Sequence, residues 1–129
     1  MLARRFNEWG YETWDGASYG VRTTYPTSVT QHRIVQYDSC RGLEGWCVVC
    51  LSLDEFIDYK KSQYIPPEQG DLMMNAEHLA DLFAARWLMI PLTRAIDYLV
   101  LQISNPEHPI ANVLRKTAND FPGIVEWRN

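Results

Sequence analysis

A chain of 129 residues is long enough for one domain with a modest core, and 47% hydrophobic with 22% charged residues is globular composition, which excludes a disordered chain. The formal net charge of -4 speaks against a broad basic face for nucleic acid, although the twelve lysines and arginines suffice for a local basic edge. No apolar run has the length of a transmembrane helix, the start MLARRFNEWG lacks the apolar stretch of a signal peptide, and three cysteines argue against a disulfide framework, so a soluble, cytoplasmic protein with no membrane partner is expected.

Leu2, Phe6 and Trp9 stand at helical spacing and predict a helix over residues 1–9, stopped at Gly10. Tyr11 to Trp14 reads as a short strand closed by Asp15-Gly16. Residues 15–33 are rich in Gly, Ser, Thr, Tyr and Pro and read as a long loop with a short strand near Tyr19–Arg22. Ile34–Tyr37 predicts a strand, and Trp46–Leu51 a second. The apolar character of both suggests that they lie in the interior of a sheet covered on both faces. The polar segment 38–45 between them has room for one helical turn.

Ser52 and Asp54 are placed to cap a helix that runs to about Lys61. Residues 64–70, with Pro66-Pro67, form a loop. A longer helix starts near Asn75 and carries the apolar stripe Leu79, Leu82, Phe83, Trp87 and Ile90. Pro91 lacks a backbone donor and should end or disrupt it, leaving Thr93-Arg94 just past a helix end. Tyr98–Ile103 predicts a strand, Ile110–Thr117 a short helix and Ile124–Trp127 a last strand. Helices alternating with apolar strands imply one α/β domain over residues 1–129, with flanking helices around a mostly parallel sheet.

Two segments carry chemistry. VQYDSCRGLEGWCVV, residues 35–49, resembles motif V of superfamily 1 (UvrD/Rep-like) helicases, whose heart is a Ser-x-Lys-Gly-Leu-Glu-like turn between two strands. RWLMIPLTRAIDYLVL, residues 86–101, resembles motif VI of the same family, Tyr-Val-Ala-x-Thr-Arg-Ala before a strand. The resemblance covers residues 34–103 well and the flanks loosely. It implies the C-terminal part of the second RecA-like motor domain, a P-loop NTPase fold without its own Walker A loop. It also implies ATP and Mg2+ as the cofactors of the intact enzyme, with the magnesium held by a first RecA-like motor domain in the same polypeptide. Single-stranded DNA is the further partner implied.

Position by position, Arg94 matches the motif VI arginine that contacts the γ-phosphate, and Thr93 precedes it as the family pattern expects. Glu44 matches the motif V glutamate near the nucleotide ribose, and Gly42 the glycine of the same turn. Asp38 and Ser39 match the region that reaches towards the DNA backbone. Arg41 stands where lysine is usual; a DNA phosphate contact and a pairing with Glu44 are equally consistent with its place. Departures are Asp38 where many members have histidine, Met89 for the motif VI tyrosine and Pro91 for a small residue. No Gly-x-x-x-x-Gly-Lys-Ser/Thr occurs, and Asp54-Glu55, which follows a strand, reads as the acidic first turn of a helix.

Chemically, Arg94 suits phosphate because the guanidinium is a fixed cation with a fork of donors. Its structural alternative is an exposed pair with Asp97. Glu44 can accept from ribose hydroxyls or stay solvated, and Gly42 first of all satisfies a tight turn. Cys47 and Cys50, three apart in a strand, point to opposite faces and read as buried thiols rather than a metal pair, with Cys40 a small packing residue. His32, His78 and His108 form no spaced cluster. Of the five tryptophans, Trp46 beside motif V is the candidate for stacking on a base. The rival to a motor fragment is a non-catalytic domain that binds nucleic acid or protein and keeps the helicase fold. Glu44 and Arg94 are expected at one end of the strands.

Overall fold

The computed structural model describes residues 2–26, 28–66 and 75–128. They form a small α/β structure with two separate sheets, each of two parallel strands. The chain divides into two compact units, residues 1–44 and residues 45–129.

In the first unit, helix α1 (Leu2–Glu8) is reinforced by an Arg4–Glu8 ion pair one turn apart. Gly10, at φ +86°, releases the chain in a left-handed conformation, as its position after a helical stripe suggests. Strand β1 (Thr13–Asp15) pairs in parallel with β2 (His32–Ile34), in the register Thr13↔His32 to Asp15↔Ile34. Between them lies not a strand but a single helical turn, α2 (Tyr19–Arg22). Hydrogen bonds of Arg22 hold that turn: Nε donates to the Gly16 carbonyl (3.1 Å) and Nη2 to Gln36 Oε1 (2.7 Å). The Trp14 ring lies against Gly16, where an added Cβ would stand only 2.2 Å from it. Beyond β2, residues 37–39 form a 3-10 turn instead of extending the strand to Tyr37 as its β-branched start suggests.

In the second unit, β3 (Gly45–Cys50) pairs in parallel with β4 (Ala95–Leu101) through the crossover α3 (Leu53–Ser62) and α4 (Ala76–Leu92). Register partners share a face, so Cys47, Val49, Tyr98 and Val100 lie on one side and Val48, Cys50, Leu99 and Leu101 on the other. Cys50 is buried and Cys47 exposed, as opposite faces require, and the reading of Cys47 as a buried thiol is thereby corrected. The expected interior position of both strands is corrected too. Each sheet has two strands among the described residues, so every strand keeps an unpaired edge, and Val49 and Trp46 are exposed.

The core of this unit is where α3 meets α4, with Leu53, Phe56, Ile57 and Ala84 buried. Lys60 is buried there as well; its ammonium sits 4.0 Å from the centre of the Trp87 ring and near Tyr59 and Phe56, with Gln63 Oε1 as a hydrogen-bond partner. Asn75 caps α4 by accepting from Glu77 N–H. Leu82, placed on the apolar stripe of this helix, is exposed, whereas Phe83 and Trp87 are half-buried in ring contact with each other. Helix α5 (Pro109–Asp120) begins with Pro109 at its first position. Residues 124–127 do not form the expected last strand: the Ile124 and Val125 amides donate to the Phe121 carbonyl, and among the described residues no strand pairs with the segment. The rest of the loop with Pro66-Pro67 lies outside the described residues from residue 67 on. Among the described residues no helix is long and apolar enough to cross a membrane.

Candidate nucleotide and nucleic-acid site

The motif V segment contains three kinds of backbone. Asp38 and Ser39 belong to the 3-10 turn, which Cys40 steadies from its buried position by donating its thiol to the Tyr37 carbonyl. Gly42 follows at φ +76°, where an L side chain is strained although no atom lies in the way of a Cβ. The glycine is therefore required by the turn's backbone and not by crowding. Asp38, Arg41 and Glu44 are exposed, and β3 begins at the next residue, Gly45. Trp46 is 73% exposed, so its ring is presented to solvent rather than used as core.

The motif VI segment is held by the end of α4. Pro91 does not stop the helix where it stands: α4 continues to Leu92, with Pro91 buried inside its last turn. The carbonyls of that turn are left without intrahelical donors and are taken up by side chains. Thr93 Oγ1 donates to the Met89 carbonyl (2.7 Å), and Arg94 Nε donates to the Ile90 carbonyl (3.0 Å). Arg94 Nη2 donates to Thr93 Oγ1 (3.0 Å). A cation at a helix C-terminus also interacts favourably with the macrodipole. The alternative pairing with Asp97 does not form among the described residues. Two hydrogen bonds thus fix the guanidinium, while Nη1 makes no hydrogen bond among the described residues and can meet an anion.

Gly45 and Ala95 are register partners, and Gly45 N–H donates to the Arg94 carbonyl (3.1 Å). Arg94 immediately precedes Ala95, at the amino end of β4, and Glu44 is the last residue of the first unit. Ligands of open parallel sheets gather instead at the carboxyl ends. Here the carboxyl ends of β3 and β4 are closed by a polar lattice that the sequence reading missed. Gln102 N–H donates to the Cys50 carbonyl (2.8 Å) and Leu53 N–H to the Gln102 carbonyl (3.0 Å). Ser52, in the left-handed region at φ 50°, does not cap α3 through its side chain; its N–H donates to Gln102 Oε1 (2.6 Å).

Asp54 is buried, and its carboxylate accepts from the Ser104 N–H (2.9 Å) and the Asn105 N–H (2.7 Å). Burial alone would push its carboxyl up, but these amides, with those of Asp54 itself and Glu55, outweigh it and hold the pKa below its ordinary 3.8. Nearby, His108 caps α5: its Nδ1 accepts from Ile110 N–H, and its Nε2 lies 3.2 Å from Asp58 Oδ1. Asp54-Glu55 is thus the first turn of α3, and Asp54 is a structural carboxylate. Its partners lie fifty residues on, where no local pattern announces them.

Among the described residues no group of three or more His, Cys, Asp and Glu is placed to hold a metal ion. No protein-family model, no curated protein and no solved structure matches the chain.

Proposed function

We propose that this chain is the C-terminal part of the second RecA-like motor domain of an ATP-dependent DNA helicase or translocase. The observation that carries the reading is the setting of Arg94: a guanidinium bound to the last turn of α4 with Nη1 left available, at the amino end of a strand whose register partner follows the motif V turn. A preorganised cation of this kind stabilises charge that develops on a transferring phosphoryl group.

In this reading Arg94 faces the γ-phosphate, Thr93 orients it, Glu44 accepts from the ribose, and Asp38, Ser39, Arg41 and Trp46 lie along single-stranded DNA. Mg2+ would be held by the first motor domain and would supply positive charge to the phosphates. Arg94, with Nη1 available, suits the part of an arginine finger. The exposed Trp46 ring suits a sequence-tolerant stacking contact.

The test is ATP hydrolysis stimulated by single-stranded DNA in a protein that joins this chain to a first motor domain. Arginine fingers contribute roughly 10³–10⁵-fold in rate in other nucleotide hydrolases, so Arg94→Ala should abolish most turnover while circular dichroism stays unchanged. Normal turnover by that variant would refute the reading.

A further inference from the structure

The N-terminal unit presents aromatic rings that motifs V and VI do not use. Phe6 at its centre touches three others: Trp9 (centroids 5.8 Å apart), Tyr11 (5.8 Å) and His32 (6.4 Å). Tyr11 and His32 meet edge to face at 5.3 Å. The half-buried Phe6 thus serves as a base on which the outer rings are fixed, while Trp9 is 63% and Tyr11 50% exposed. Rings held by other rings lose little freedom when a further flat group stacks on them.

Charge around the cluster is arranged to suit an anionic ligand. Arg5 lies one turn before Trp9, whose N–H donates to the Arg5 carbonyl, so both side chains leave the same face of the helix. The Arg5 guanidinium is exposed and has no hydrogen bond or ion pair among the described residues. The acids nearby are engaged: Glu8 with Arg4 and Glu12 with the Gln31 amide. Residues 1–44 hold five basic and five acidic residues, whereas residues 45–129 hold seven and eleven, so the whole net charge of -4 resides in the second unit. A polyanion therefore meets least repulsion on the first.

We propose that Trp9, Tyr11 and His32, with Arg5, form a stacking surface for single-stranded nucleic acid. Stacked rings take any base because every base has a π-face, and one guanidinium beside them meets a phosphate. The choice of ligand rests on the nucleic-acid reading above; neither Arg94 nor ATP enters the argument.

The experiment titrates fluorescein-labelled oligothymidylate with the 129-residue chain and reads anisotropy over a range of salt. Trp9→Ala and Tyr11→Ala should each weaken binding roughly 5- to 100-fold, and Trp9→Phe, which keeps a ring and guards against misfolding, should restore most of it. Arg5→Ala should make the dependence of log affinity on log salt shallower by about 0.7, the loss of one phosphate contact. An abasic oligomer of equal length should bind more weakly and not distinguish Trp9→Ala from the parent chain. Absence of binding by the folded parent chain, or equal binding by the parent and both alanine variants, would overturn the proposal, and in the first case the rings serve a protein surface instead. Because the Arg94 assay reads hydrolysis, failure of this surface leaves the motor reading standing, and failure of the motor reading leaves the affinities measurable.

Discussion

Two single residues show how differently charge is used in this chain. Arg94 is spent partly on its own helix: two of its nitrogens complete the end of α4, so it is preorganised without a carboxylate partner among the described residues. Asp54 is the opposite case, a carboxylate committed wholly to backbone amides. Since its folded pKa lies below its ordinary value, the stability it contributes is fully present above about pH 4 and is lost as pH falls through the lowered value. Urea unfolding at pH 7 should show Asp54→Ala destabilised by about 3 kcal/mol, because buried donors lose a charged acceptor. Between pH 4 and pH 2 the parent chain should lose more stability than Asp54→Asn, which has no carboxyl to protonate. Parallel losses in the two proteins would show that Asp54 is not the group responsible.

At the scale of elements, the contact of α3 with α4 depends on a lysine that hydropathy alone would place in solvent. The Lys60 stem fills the interface, and its ammonium is held over Trp87. The neighbouring Lys61 pairs with Asp81 on α4. Lys60→Met keeps the volume and removes the charge. It should cost about 1–2 kcal/mol in thermal or denaturant unfolding if the cation–π contact stabilises the pair. A variant as stable as the parent would mean that desolvating the ammonium offsets the whole attraction. The end of α4 shows how Pro91 is tolerated. Within the last turn its missing N–H costs the helical bond to the Trp87 carbonyl, while Thr93 and Arg94 satisfy the Met89 and Ile90 carbonyls left by the helix end.

At the scale of the whole molecule, the second unit is built as a β-α-α-β crossover with one parallel pair. Parallel strands are commonly covered on both faces, and here Val49, Tyr98 and Val100 leave an apolar face open. The sequence contains no Gly-x-x-x-x-Gly-Lys-Ser/Thr loop to cradle phosphates, and one arginine cannot assemble nucleotide, metal and water. The isolated 129-residue chain should therefore release no phosphate from ATP with magnesium and single-stranded DNA. Turnover that tracks chain concentration through purification would defeat this expectation, and with it the division of labour proposed between two motor domains.

The alternation of helices and strands, the helix past Asn75, the stop at Gly10 and the place of Thr93-Arg94 beyond a helix end were all determined locally. Capping chemistry, glycine's access to positive φ and apolar periodicity act over a few residues, so the chain itself displays them. Strand limits, the helical turn at Tyr19–Arg22 and the unformed strand near Ile124 depended on whether a partner edge was present, which is a tertiary fact. So did the roles of Asp54 and Lys60: one takes its donors from fifty residues away and the other its aromatic ring from the facing helix. A carboxylate in a first helical turn and a lysine in a last one look like solvated ends in any sequence, and only packing turned them inward.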